Sequence, residues 1–310
     1  MPTGAVSPDR RGDKTSNESR LKFRKMFDRL TPAVKNLLII NVLVFMAQTM
    51  LPWGGRIDDL FALHTFGSDK FSLFQIVTSI FMHGSVGHLF VNMFALWMFG
   101  SILENDIGTR RFLIYYFVCG IGGGILHDLV LMWQFDRMAE LAQAFFDNPS
   151  NSLLVDFLSK YGDGIYSVPS FDGASPDSYP LVQGGEQAVR ELLRLYNDRT
   201  TVGASGAVFG VLLAFGMMHP NDRIMLLIPP IPMKAKYFVL AYGLLELMLG
   251  ITDNDNIAHF AHLGGMLFGF ILLTYWRRRG GLYRHTRWNL RVYMWYGVRW
   301  CEARKILVIL

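Results

Sequence analysis

The sequence predicts an all-α membrane protein: a bundle of six transmembrane helices with a large outer insertion between the third and the fourth. Three observations carry that expectation. Half of the 310 residues are hydrophobic (51%) and only 18% are charged, against about 25% in an average soluble protein. Mean hydropathy is positive, at +0.26. Finally, six mostly apolar stretches are long enough for a hydrocarbon core of ~30 Å, which needs roughly 17–25 residues per helix. Aromatics at 14% and 30 glycines without a three-residue period exclude disordered, collagenous and coiled-coil chains. Two cysteines, Cys119 and Cys301, cannot build a disulfide framework.

The elements follow in order. Residues 1–34 are polar, with eight basic and four acidic side chains, and form a cytoplasmic N-terminal segment. They lack the apolar core of a signal peptide, so the first span, 35–52, is expected to act as its own insertion signal. The second span, 86–103, is weaker because it carries polar residues. The third, 112–134, is among the clearest. Residues 135–201 hold five basic and ten acidic side chains and read as a small outside subdomain, with helical spacing over 186–196. The fourth span, 203–219, is rich in glycine and alanine. Spans five (235–251) and six (257–276) follow, giving a membrane domain over 35–276. The tail, 277–310, has nine basic residues and one acidic, with Trp288, Trp295 and Trp300. It suits a segment lying along the inner membrane surface or packed on the cytoplasmic loops.

Lys and Arg excess marks the cytoplasmic side. Both ends are basic and the 135–201 loop is acidic, so six spans place both termini inside. The net charge of +5 is a topology signal and implies no nucleic acid. No internal repeat supports an inverted-repeat transporter.

Polar side chains inside spans are costly and ask for a reason. Span two contains His88-Leu-Phe-Val-Asn92, with His83 just before it. His88 and Asn92, four apart, share one helical face. Span four opens with Gly203-Ala204-Ser205-Gly206-Ala207, and span six with His259-Phe260-Ala261-His262. Even-numbered spans run from outside to inside, so Ser205, His88, Asn92 and His262 lie at one depth below the outer face. Singly, the glycine-alanine run is ordinary close-packing material and Asn92 is interhelical glue. Together they are the parts list for acyl transfer. A serine hydroxyl needs a base such as neutral imidazole, and the tetrahedral intermediate needs donors for its oxyanion. Asn92, His88 and the Ser205 backbone N–H can supply those. Gly206/Gly210 and Gly265/Gly269 would bring spans four and six together. Asp128, next to His127, reads as an interfacial pair, and neither Asp128 nor Glu246 is expected to serve as a third member, leaving a Ser-His dyad.

These motifs resemble the rhomboid family of intramembrane serine proteases: Gly203-Ala204-Ser205-Gly206, His88-x-x-x-Asn92, and Ala261-His262-x-x-Gly265. The resemblance implies a rhomboid-like bundle in which Ser205 is the nucleophile and His262 the general base. It also implies that His88, Asn92 and the Ser205 N–H form the oxyanion hole. Gly265-x-x-x-Gly269 is similar to a family packing motif, and Glu104 with Gly108 resembles the family's turn at the inner end of span two. His83 matches a recurrent, structural position. No cofactor and no metal are expected; the partners are transmembrane protein substrates and the lipid bilayer. In a bacterium that bilayer would be the plasma (inner) membrane. Two positions depart from the family pattern: Phe74-Gln75 stands where a Trp-Arg pair is common, and Phe209 where a tyrosine often stacks on the histidine.

An inactive rhomboid-like escort protein is an alternative, although it would be expected to lack Ser205 or His262. A metal or proton transporter using His83, His88, His259 and His262 is another. No His-Glu-x-x-His occurs, and Gly162-Asp163-Gly164 lies in a polar loop, so zinc and aspartyl intramembrane proteases do not fit.

Overall fold

The computed structural model describes residues 30–162, 165, 184–225, 232–252 and 258–280, with short backbone strands at 294–295, 298–299 and 306–308. Expectations for residues 1–29, and for the side chains of the tail beyond 280, lie outside the described residues.

The described chain is mostly helical. The first long helix, α1 (Pro32–Met50), begins with proline in its first turn, where the missing N–H costs nothing. Its first free N–H groups, those of Ala33 and Val34, each donate over 3.0 Å to the buried Glu104 carboxylate. Glu104 also accepts from Thr109 Oγ1 at 2.7 Å. The turn expected at Glu104 and Gly108 therefore ties the start of α1 to the end of the next helix. That helix, α2 (Val86–Ile107), is capped by the Ser85 hydroxyl, which accepts from the His88 N–H. It stops at Gly108, whose φ of 81° suits a residue without Cβ.

The third helix, α3 (Thr109–Asp147), runs 39 residues without a break. At 1.5 Å per residue it is about 58 Å long, nearly twice a ~30 Å hydrocarbon core. The expected boundary at 134 is therefore a point along a continuous helix. The far end of α3 packs with α4 (Asn151–Tyr161) and α5 (Gly185–Asn197) around Met138, Phe145, Leu154, Phe157, Val189 and Leu192, a core separate from the main one.

Three further helices complete the bundle: α6 (Ser205–Met218), α7 (Ala235–Thr252) and α8 (His259–Arg278). Among the described residues α1, α2 and α3 are long and apolar enough to cross a membrane, and α6 is a shorter apolar helix. Helix α6 sits at the centre, with Ser205 through Leu212 all buried. Outward faces are apolar instead of polar: Leu43 is 59% exposed, Leu240 61%, Met248 64% and Ile271 55%. Such surface is stable against hydrocarbon and not against water. This is a membrane protein.

Close contact of α3, α6 and α8 depends on glycine. A Cβ on Gly265 would lie 1.9 Å from the Gly206 carbonyl oxygen, and one on Gly123 2.5 Å from the Ala261 carbonyl oxygen. The expected pairing of spans four and six through small residues is present. Helix α3 is a third partner, brought in by Gly122 and Gly123, that the spacing argument did not include. Tyr115 Oη reinforces it by donating to the Gly210 carbonyl at 2.8 Å. Between α6 and α7, strand Arg223–Met225 pairs antiparallel with Pro232–Lys234 and parallel with Ile306–Val308.

Candidate active site

Ser205 is the first residue of α6, so its backbone N–H belongs to the unsatisfied donors of a helix start. The approach to it is held by the loop after α1. Leu63–His64 pairs antiparallel with Thr200–Thr201, Ser68 Oγ donates to Asp198 Oδ1 at 3.0 Å, and the Gly203 N–H donates to the Ser79 carbonyl at 2.9 Å. In that loop Gln75 is buried and knits the chain: Nε2 donates to the Leu60 and Lys70 carbonyls, and Oε1 accepts from the Ser72 N–H. Gly203 itself has φ 134°, and a Cβ there would lie 2.8 Å from the His88 ring and 3.5 Å from Ser205 Oγ. Glycine at 203 is thus what lets the His88 imidazole approach the serine.

His262 lies on the first turn of α8. Phe209, one turn after Ser205, stacks flat on its ring, with centroids 4.1 Å apart and planes 4° apart. The Ala261 carbonyl abuts Gly206, so backbone contact as well as ring stacking brings the head of α8 to the head of α6. Ser205 is 8% exposed and the His262 side chain 12%. The Ser205 hydroxyl has no hydrogen bond among the described residues.

Asn92 is buried, and its amide Nδ2 has no hydrogen-bond partner among the described residues. One turn before it, His88 packs edge-on against His83 at 5.1 Å. His83 is held by its backbone, which donates to Gln48 Oε1 at 3.2 Å. Burial, and then the neighbouring His88, push the His83 imidazole down to about 4, so it is neutral near pH 7.

Two expectations are corrected. Glu246, not expected to serve as a third member, reaches the histidine: its Oε2 lies 2.7 Å from His262 Nδ1 and 2.7 Å from His259 Nδ1. A lone carboxylate in an apolar span requires a partner, and that was the available signal. Asp128, expected to pair with His127, instead accepts from the Phe66 N–H at 2.9 Å and anchors the loop after α1. The ligand-type atoms of Glu246, His259 and His262 lie within 4.8 Å of one another, a donor set that suits zinc in kind. Yet 2.7 Å is a hydrogen-bond length, whereas two ligands on tetrahedral zinc at ~2.0–2.1 Å stand ~3.3 Å apart. The separations fit hydrogen bonds better than coordination.

Fold and site together define a helical membrane protein with a polar cluster set between glycine-packed helices. The family model for the Rhomboid domain matches residues 70–134 and 184–279, more than half of the sequence. The chain belongs to the rhomboid family, which supports a function of the intramembrane-protease type. It is 25% identical over 289 residues to an uncharacterized mitochondrial rhomboid protein of Schizosaccharomyces pombe, covering 84% of this chain and 70% of that one. It is 26% identical over 200 residues to the mitochondrial rhomboid protein 1 of Saccharomyces cerevisiae, covering 64% and 41%. The human presenilin-associated rhomboid-like protein, also mitochondrial, is 23% identical over 287 residues, covering 89% and 57%. The chain thus spans between about two fifths and seven tenths of these relatives' lengths.

Proposed function

We propose that the protein is an intramembrane serine endopeptidase that cuts transmembrane helices near the outer face of the membrane. Ser205 is the nucleophile and His262 the general base. The observation that carries this reading is the flat stacking of Phe209 on His262 at 4.1 Å, which fixes the imidazole beside the helix that begins at Ser205. Phe209 does so without the hydroxyl common at this family position.

The chemistry follows from the residues. A substrate helix unwinds at its top, exposing a backbone carbonyl. Ser205 Oγ attacks the carbonyl carbon while His262 Nε2 takes the hydroxyl proton and then gives it to the leaving amine. The resulting oxyanion is met by Asn92 Nδ2, the His88 imidazole and the Ser205 N–H. The unpartnered Asn92 amide supports that role. Water entering from the outer face then releases the acyl-enzyme, again with His262 as base. The reading includes six crossings with both termini cytoplasmic, α6, α7 and α8 adding to α1, α2 and α3.

Fluorophosphonate labelling tests it. The wild type should react and Ser205→Ala should not, and Ser205→Ala and His262→Ala should each abolish cleavage of a model transmembrane substrate with expression unchanged. Equal labelling of wild type and Ser205→Ala would defeat the assignment. A second reading, metal binding, is favoured by the grouping of Glu246, His259 and His262. It requires stoichiometric zinc in the purified protein that is lost on His259→Ala.

A further inference from the structure

We infer that Glu246 is a positioning residue for the base, turning the Ser205–His262 pair into a three-membered relay. The inference rests on the protease reading above.

The geometry is specific. Glu246 is 4% exposed and sits in the apolar run of α7, where a carboxylate is retained only against a cost. Its Oε2 meets His262 Nδ1 at 2.7 Å and His259 Nδ1 at 2.7 Å. An ionised carboxylate can only accept. Accepting from both rings, it places the mobile proton of each neutral imidazole on Nδ1 and leaves the Nε2 lone pair of His262 free. That is the tautomer a general base for Ser205 requires. When His262 takes the serine proton it becomes an imidazolium, and the carboxylate 2.7 Å away stabilises that charge in a medium of low dielectric. Glu246 itself gains no proton in the step: one proton moves from Ser205 Oγ to His262 Nε2 and later to the leaving amine.

His259 supports the arrangement from one turn earlier. Residues three apart on a helix lie on one face, so the first turn of α8 presents two imidazoles to one oxygen. The second donor fixes where Oε2 sits. Phe209 stacks on the His262 ring and sets its plane, while Glu246 sets its rotation within that plane.

Glu246→Gln is the test, made on the full chain in detergent or nanodiscs with a cleavable transmembrane substrate. An amide is nearly isosteric, but it carries no charge and can offer NH₂ to Nδ1, which favours the wrong tautomer. Expected is a fall in kcat of ~10–100-fold, within the range of acid–base contributions, with KM and thermal midpoint near wild type. A kcat within two-fold of wild type in the folded Gln variant would overturn the inference. Should that variant fold poorly, Glu246→Ala decides through rescue. Added formate should raise its rate where equal chloride does not, and no difference between the two anions overturns the proposal. If instead the wild type neither cleaves nor labels at Ser205, it is the protease reading that has failed.

Discussion

Asn92 buries an amide with nothing to donate to among the described residues, and at the scale of single residues that is the most informative cost. A buried donor left unpaired costs about 1–3 kcal/mol. On the proposed mechanism a partner arrives only with the oxyanion. Function and stability should therefore separate at this position. Asn92→Ala is expected to lower kcat by ~10²–10³, the loss seen when one oxyanion donor is removed. Its thermal midpoint should stay level or rise, because an unsatisfied group has been deleted. A variant that loses activity and stability together would indicate packing glue instead. Gly203 belongs to the same argument. Its φ of 134° and the 2.8 Å clearance to His88 leave room for hydrogen and nothing larger.

Among the helices, the seam of α3, α6 and α8 decides whether the site assembles at all. Lipid offers no hydrophobic drive between helices, so contact rests on close approach of small residues. At Gly265 the obstructing atom is the Gly206 carbonyl oxygen, 1.9 Å from a Cβ, and backbone cannot swing aside as a side chain can. Gly265→Ala should therefore destabilise by about 3 kcal/mol or more, the upper end for overpacking. Gly55→Ala, with no atom within 4 Å of its Cβ, should change little, and paired thermal midpoints in detergent check both. This seam also marks how far the sequence could be read. The spacings Gly206/Gly210 and Gly265/Gly269 were visible because four-residue intervals fall on one helix face. Participation of Gly122 and Gly123 was not, since periodicity says which face is small but not which helix it meets. Glu246 is the same case. Its chemistry announced a buried partner, but the rotation of α7 against α8, which selects His262 and His259, is a packing outcome absent from local pattern. Asp128 likewise took a backbone partner on a loop 62 residues away, which no neighbour-based reading could supply.

At the scale of the whole molecule, the described residues form two apolar cores with no residue in common. One fills the membrane bundle, and the other joins the far end of α3 to α4 and α5. The interval between the two family-matched segments, 135–183, contains α4 and most of the α3 extension, while α5 falls inside the matched part. Helix α5 leads directly into Asp198, the strand Thr200–Thr201 and Gly203, so the second core holds one end of the approach to Ser205. The loop after α1 holds the other through Ser68 and Asp198. Two separate cores should respond separately. Phe157 is fully buried in the second core, and Phe→Ala in such a place costs about 3–5 kcal/mol. Phe157→Ala should therefore open the three-helix unit to limited proteolysis between residues 148 and 199, while the membrane bundle keeps its thermal midpoint and its Ser205 labelling. Cleavage of substrate should fall only modestly, ~2–10-fold, because the strand Leu63–His64 and the Ser79 carbonyl still grip the segment before Gly203 and order Ser205 without the second core. A single cooperative transition shifted by the full amount, with labelling lost in parallel, would mean that the extension and the bundle fold as one unit.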